Sequence, residues 1–293
     1  MLKQRIITAL ILAPAAILAI FYLPLVYFAT LFLAVIAIGA WEWGPLMGFK
    51  DNTRQIGFVV ATLILIGVIW ASLFPSDLWL NNKELHSYAM SILWLAVVWW
   101  FLSAFLMLSY PNSSNFWSKH HSIRGMFGLL TLIPTWLAFM VIRTSDYQVD
   151  PFHGAQLLMF LFLMVWSADV GAYFVGKAMG KNKLMPNVSP GKTFEGFLGG
   201  VVSACVLVSF VAYSLDWSGE QVTKALMVTV LITTVSVLGD LSESMFKRQA
   251  GVKDSGSILP GHGGILDRMD SLTATAPVFV MYYLVGSSVR KFN

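Results

Sequence analysis

The sequence predicts an all-α, polytopic integral membrane protein of about nine transmembrane helices with a cytoplasmic N-terminus. Three observations predict it. Apolar residues make up 57% of the chain and the mean hydropathy is +0.72, well outside soluble composition. They gather into runs close to the roughly 20 residues a helix needs to cross a hydrocarbon core of about 30 Å. The basic residues between the runs fall mostly on alternate sides, as the positive-inside rule requires. The chain reads as a single polytopic membrane domain over 1–293, with scaffold helices in 1–150 and the polar motifs in 151–293.

The first run, about 6–23, follows Met-Leu-Lys-Gln-Arg. A second apolar run starts almost at once, leaving no room for a polar cleavage region, so the first reads as an uncleaved helix and not a signal peptide. Pro24 separates it from the run at about 25–43, because proline supplies no helix donor and restricts the residue before it. That hairpin is tight, and eight spans is the alternative count. The remaining runs lie near 55–74, 88–110, 125–143, 155–176, 194–216, 224–246 and 270–288.

With the N-terminus inside, 14 of the 19 Lys and Arg fall in inside segments and five outside. The C-terminal Arg290 and Lys291 are the exception to the pattern. A net charge of +4 and a pI near 9.1 fit anionic lipid or phosphate at a membrane surface, not nucleic acid. The one cysteine, Cys205, lies in an apolar run and reads as a small buried apolar residue, so neither a disulfide framework nor a thiol metal site is expected. Trp41, Trp43, Trp99, Trp100 and Tyr110 read as interfacial or packing aromatics, and His120 with His121 as loop residues in preference to metal ligands.

Charges inside the apolar runs are the informative exceptions. An ionised side chain costs about 2.5–3.5 kcal/mol at a helix centre in the bilayer, so it persists where it is paired, wet or functional. Asp169, Glu195, Asp240, Glu243, Asp267 and Asp270 all lie toward the cytoplasmic ends of their spans, so four spans bring acids to one depth on one side. Asp267 and Asp270 are i, i+3 on one helix face; Asp240 and Ser244 are i, i+4 on another, with Lys247 near the next turn. Two helices joined by a flexible loop could aim three aspartates at one point. Crowded carboxylates need a cation or a proton between them, and all-oxygen ligands suit Mg²⁺ or a similar hard cation. The bland alternative is helix capping by Asp267 and Asp270 with Lys247, Arg248 and Lys253 as cytoplasmic anchors.

Between those helices runs a glycine-rich loop containing Gly251, Gly256, Gly261, Gly263 and Gly264, where backbone N–H groups can approach a phosphate closely. Lys247, Arg248, Lys253, His262 and Arg268 flank it and suit a polyphosphate. A second basic segment, 181–196, ends Ser189-Pro-Gly-Lys192-Thr193-Phe-Glu195-Gly. Its SPGKT is not a Walker A motif, since Pro186 stands where the upstream glycine belongs. Ser189, Lys192, Thr193 and Glu195 nevertheless sit at the opening of a helix, where anions are favoured. Gly171, Ala172, Gly176 and Gly180 give spacings for close helix packing.

The run Ser244-Met-Phe-Lys247-Arg248, four residues, Lys253-Asp254, then Leu259-Pro-Gly-His262-Gly263-Gly264-Ile-Leu-Asp267-Arg268-Met-Asp270 resembles the signature of the phosphatidate cytidylyltransferases, or CDP-diacylglycerol synthases. The segments around Asp169 and Ser189–Gly196 are similar to other motifs of that family; the specific resemblance covers about 169–270. It implies transfer of CMP from CTP to phosphatidate, giving CDP-diacylglycerol and pyrophosphate in phospholipid biosynthesis. The site would face the cytoplasm from a bacterial inner membrane, with Mg²⁺ dependence and room for a second cation. It also implies metal ligation by the aspartates flanking the loop. On that reading Asp240, Asp267 and Asp270 go to metal and, with Lys253, to catalysis. Asp169, Ser189, Lys192, Thr193, Glu195, Ser244, Lys247, Arg248, His262, Gly263, Gly264 and Arg268 go to substrate. CTP, phosphatidate and the bilayer are the expected partners, with homodimerisation open. A CTP-dependent lipid kinase of the polyprenol type and an ion-coupled transporter are the alternatives; the transporter fits less well because the acids face one side and no repeat is present.

Overall fold

A computed structural model describes residues 2–73, 78–79 and 84–289. Among these, nine helices have 21 residues or more: α1 (Leu2–Tyr22), α2 (Leu25–Leu46), α3 (Asn52–Ser72), α4 (Ser87–Leu108), α6 (His121–Arg143), α7 (His153–Met179), α8 (Phe194–Ser214), α9 (Gly219–Ala250) and α10 (Leu266–Val289). A one-turn helix, α5 (Ser114–Trp117), follows α4. The protein is therefore all-α and polytopic. Seven of the helices, α2, α3, α4, α6, α7, α8 and α9, are long and apolar enough to cross a membrane, and Leu10–Tyr22 adds a shorter apolar stretch. The helix limits fall within a few residues of the nine apolar runs. Arg290 and Lys291, which break the charge pattern, lie outside the described residues.

The breaks follow local chemistry. Pro24 stands at the N-cap of α2 in extended backbone, ending α1 two residues earlier. Asp51 caps α3 through Thr53 N, and Ser218 with Gln221 forms a full capping box on α9. Gly251 closes α9 with φ +73°, a left-handed cap that an L side chain resists. At 32 residues and 1.5 Å per residue α9 is about 48 Å long, longer than a hydrocarbon core. Its last turns, with Lys247 and Arg248, thus extend past the length that a hydrocarbon core requires.

Lipid tails are as apolar as leucine, so helices in a bilayer associate through packing and polar contacts rather than through hydrophobic driving force. The chain uses both. Helix α6 is central, buried along most of its length between α2, α4 and α10. Around it Trp43, Trp99, Trp117, Phe127 and Phe246 form an aromatic core; Trp43 and Trp99 are packing residues, tied to Arg124 O and Thr131 Oγ1. Helices α7 and α8 make the most extensive pair through small residues: Gly171 lies against Ser203 and Gly199, and Gly199 against Val175. Cys205 on α8 is half-buried, less enclosed than its apolar setting suggests. His121 is not loose in a loop: its Nδ1 lies 2.6 Å from Met47 O at the end of α2.

Residues 181–193 are more ordered than a basic loop. They fold as a hairpin of β1 (Lys183–Met185) and β2 (Ser189–Thr193), antiparallel, with Lys183 opposite Thr193 and Met185 opposite Ser189. The hairpin leads directly into α8.

Candidate active site

The polar residues converge where α7 and α9 end, α8 and α10 begin, and the hairpin and glycine loop meet. Thr193 caps α8 by accepting from Gly196 N at 3.2 Å. Glu195, in the first turn, accepts from Lys181 N, Asn182 N and Asn182 Nδ2 at 2.7–3.2 Å. These two side chains fix the hairpin on the helix start. From there β2 delivers Lys192, whose ammonium bonds Asp240 Oδ2 on α9. Ser244, one turn on, donates to Asp240 Oδ1 at 3.3 Å, the i, i+4 relation read from the sequence.

Asp169 on α7 and Asp270 on α10 both lie within electrostatic reach of Asp240 and of Lys192. Three carboxylates from three helices and an ammonium from the hairpin therefore share one region. Like charges so placed repel, and Lys192 offsets part of that repulsion. Arg268, also within electrostatic reach of Asp169, forks both Nε and Nη2 onto His262 O at 3.0 and 2.8 Å.

Beside this cluster lies a drier one. Lys247 Nζ is 2.7 Å from Asp267 Oδ1 and 3.1 Å from Glu243 Oε1, with all three residues largely buried. The Glu243 contact is an ion pair without hydrogen-bond geometry, and neither Glu243 oxygen has a hydrogen-bond partner among the described residues. Asp267 accepts further bonds from Ser255 N and Gly264 N at 2.8–3.2 Å, so it draws the two ends of the glycine loop together. Gly261 and Gly263 have φ +76° and +83°, and Leu259 N bonds Gly263 O across that turn. Arg248 Nε holds Val188 O at 3.1 Å, tying the end of α9 to the hairpin. Lys253 is exposed on the loop, and His262 Nδ1 is buried without a hydrogen-bond partner among the described residues.

The structure thus brings Asp169, Lys192, Asp240, Ser244, Lys247, Asp267, Arg268 and Asp270 to one end of the bundle. Thr193 and Glu195 serve the hairpin–helix junction, and Ser189 lies at the far end of the hairpin, opposite Met185. Among the described residues no three His, Cys, Asp or Glu side chains form a group ready to chelate an ion as they stand. The donor set still fits a hard cation: it is all oxygen, and an ammonium already stands where positive charge is demanded between Asp240 and its acidic neighbours.

Residues 3–285 match the cytidylyltransferase family. The chain belongs to that family. It is 42% identical over 288 residues to the phosphatidate cytidylyltransferase of Haemophilus influenzae, covering 97% of this chain and 99% of that protein. The phosphatidate cytidylyltransferase of Pseudomonas aeruginosa is likewise 42% identical over 279 residues, 95% and 96% of the two chains. That of Staphylococcus haemolyticus is 37% identical over 201 residues, 68% and 69%. The resemblance drawn from the motifs at 169–270 is borne out, and similarity extends through the N-terminal half as well.

One residue at the polar end of this chain escapes a reading of the motifs. Glu42, on α2, is 2% exposed and accepts hydrogen bonds from Ile265 N, Leu266 N and Ser255 Oγ. The signal for it exists in the sequence: a carboxylate inside an apolar run, between Trp41 and Trp43.

Proposed function

We propose that the chain catalyses the transfer of CMP from CTP to phosphatidate, releasing pyrophosphate and leaving CDP-diacylglycerol in the membrane. The observation that carries this reading is the meeting of three carboxylates, the Lys192 ammonium and a glycine loop at the polar end of an apolar bundle. The full-length similarity to phosphatidate cytidylyltransferases supports it.

An oxygen of the phosphatidate phosphate attacks the α-phosphorus of CTP. The new P–O bond forms as the α-phosphorus–oxygen bond to the β-phosphate breaks, and pyrophosphate leaves with the electron pair. The nucleophile is already anionic at neutral pH, so no strong base is needed; the work is in-line positioning and charge neutralisation. Lys192, Arg248, Lys253 and Arg268 would neutralise phosphate oxygens, while the N–H groups of His262 and Gly264 in the glycine turn are already taken, by Leu259 O and Asp267. Asp240 and Asp270, with Asp267, would hold Mg²⁺. Bound there, the ion supplies further neutralisation of the phosphates. The phosphates of CTP would compete with Asp240 for Lys192, and Asp240 so released would be available as an oxygen ligand.

The single-domain reading and a site open to the cytoplasm of a bacterial inner membrane belong to this proposal. A water-soluble nucleotide then meets a lipid headgroup at the cytoplasmic leaflet without extraction of the acyl chains. The test is purified protein with phosphatidate and CTP labelled at the α-phosphate, with Mg²⁺ or with chelator. Label is expected in the lipid with Mg²⁺ and lost with chelator. Phosphorylation of a lipid with the α-label left in the nucleotide would make the chain a CTP-dependent kinase instead.

A further inference from the structure

The start of α10 presents backbone N–H groups that no earlier turn of the helix can accept. A side chain in the preceding loop usually takes them. Here the acceptor comes from 223 residues away: Glu42 Oε1 takes Ile265 N at 3.0 Å and Glu42 Oε2 takes Leu266 N at 2.8 Å. Ser255 Oγ adds a third donor to Oε2 at 3.3 Å. Two glycines of the loop lie flat on the same carboxylate. A Cβ added at Gly256 would meet Oε1 at 2.4 Å and one at Gly264 would meet Oε2 at 2.5 Å, closer than real Cβ contacts.

Asp267 holds the same loop from the other side, through Ser255 N and Gly264 N. The segment 255–266 is therefore strung between two carboxylates, one at the start of the helix it leads into and one on α2. Asp267 in turn orients Lys247, and the direction of the first turn of α10 sets where Asp267 and Asp270 point. A buried acid that accepts from three donors, with two loop glycines against it and the Asp267 carboxylate within electrostatic reach, has a poor reason to be there for packing alone, since burying a charge is costly unless it is hydrogen-bonded.

We propose that Glu42 is a positioning residue for the active site. It fixes the glycine loop and the start of α10, so that Asp267 and Asp270 meet the nucleotide in one arrangement. This rests on the reaction proposed above. Glutamine at position 42 would keep one acceptor oxygen and turn an NH₂ group toward a backbone donor, so the clamp would lose one grip and gain a repulsion.

The experiment compares wild type, Glu42→Gln and Ser255→Ala in detergent by hydrogen–deuterium exchange and by steady-state turnover with CTP and phosphatidate. In Glu42→Gln, exchange should quicken across 255–266 and stay at the wild-type rate in α6. Turnover should fall about ten- to hundredfold, the loss expected for a charge-assisted hydrogen bond, while KM for phosphatidate stays within about twofold. Ser255→Ala should show a smaller loss in the same segment, and the double variant should lose less than the product of the two. Unchanged exchange at 255–266, or a rise that includes α6 equally, overturns the proposal; so does full activity with a loosened loop. Should Glu42→Gln not fold, wild-type exchange across 255–266 together with wild-type turnover in Ser255→Ala overturns it alone. A wild type that leaves phosphatidate unlabelled sinks the assigned reaction, and the exchange data then decide the clamp separately.

Discussion

Two ammonium groups stand on the acids of this site, and their surroundings give them different work. The Lys192 and Asp240 side chains keep 30% and 29% of their surface exposed, whereas Lys247 and Asp267 keep 11% and 7%. A half-open pair is screened and can exchange partners at little cost. A buried one cannot: removing a partner leaves an uncompensated charge, a loss of about 3–5 kcal/mol. Lys192→Met should therefore leave the fold intact and lower turnover about 10²–10³-fold, as removal of one charge-stabilising group does. Lys247→Met should instead lower the thermal unfolding temperature in detergent, with Glu243→Gln restoring part of it. Asp267→Asn should abolish turnover while the protein still inserts. Thermal unfolding and turnover measured side by side sort these outcomes; full activity in Lys192→Met or Asp267→Asn removes that residue from the site.

At the scale of elements, the hairpin can deliver Lys192 only if α8 begins at a fixed place on α7. Small residues set that place. A Cβ at Gly199 would lie 2.4 Å from Val175, and one at Gly171 would lie 2.7 Å from Gly199 O, so the two helices cross where neither has room for a side chain. Gly57 on α3 offers the contrast, with nothing within 4 Å of an added Cβ. Gly199→Leu should force the pair apart, costing roughly 1–3 kcal/mol or more through overpacking, and should reduce turnover as Lys192 moves off Asp240. Gly57→Leu should do neither. Equal behaviour of the two variants in turnover and thermal unfolding would mean that the α7–α8 crossing does not position the hairpin.

At the scale of the whole molecule, the membrane made much of the fold legible. A fixed hydrocarbon thickness forces helices of nearly constant length, so nine apolar runs anticipate nine long helices to within a few residues. The acids were legible for the same reason, because a charge in an apolar run is conspicuous. The hairpin was not: Lys183–Thr193 is short and polar, and Pro186 and Pro190 argue against a strand. Nor was the role of Glu42, because its donors lie more than 200 residues away and no local pattern announces them. Those long-range contacts also bear on sidedness. Thr8 Oγ1 donates to Pro260 O, Met47 O meets His121, Glu42 grips the glycine loop and Arg248 grips the hairpin. Each joins segments that the charge pattern assigns to the inside. At the other end, Trp79 Nε1 donates to Thr144 Oγ1 and Tyr282 donates to Lys224 O, joining segments assigned to the outside. The expected topology can be read directly with cysteines, since Cys205 is the only native one. In a Cys205→Ala background, a cysteine at Ser257 in the glycine loop should react with a membrane-impermeant maleimide in inside-out vesicles and stay unlabelled in intact cells. A cysteine at Val149, 80% exposed between α6 and α7, should show the reverse. Labelling of both from one side would refute the alternation of spans, and reversal of both would place the site on the wrong face for CTP.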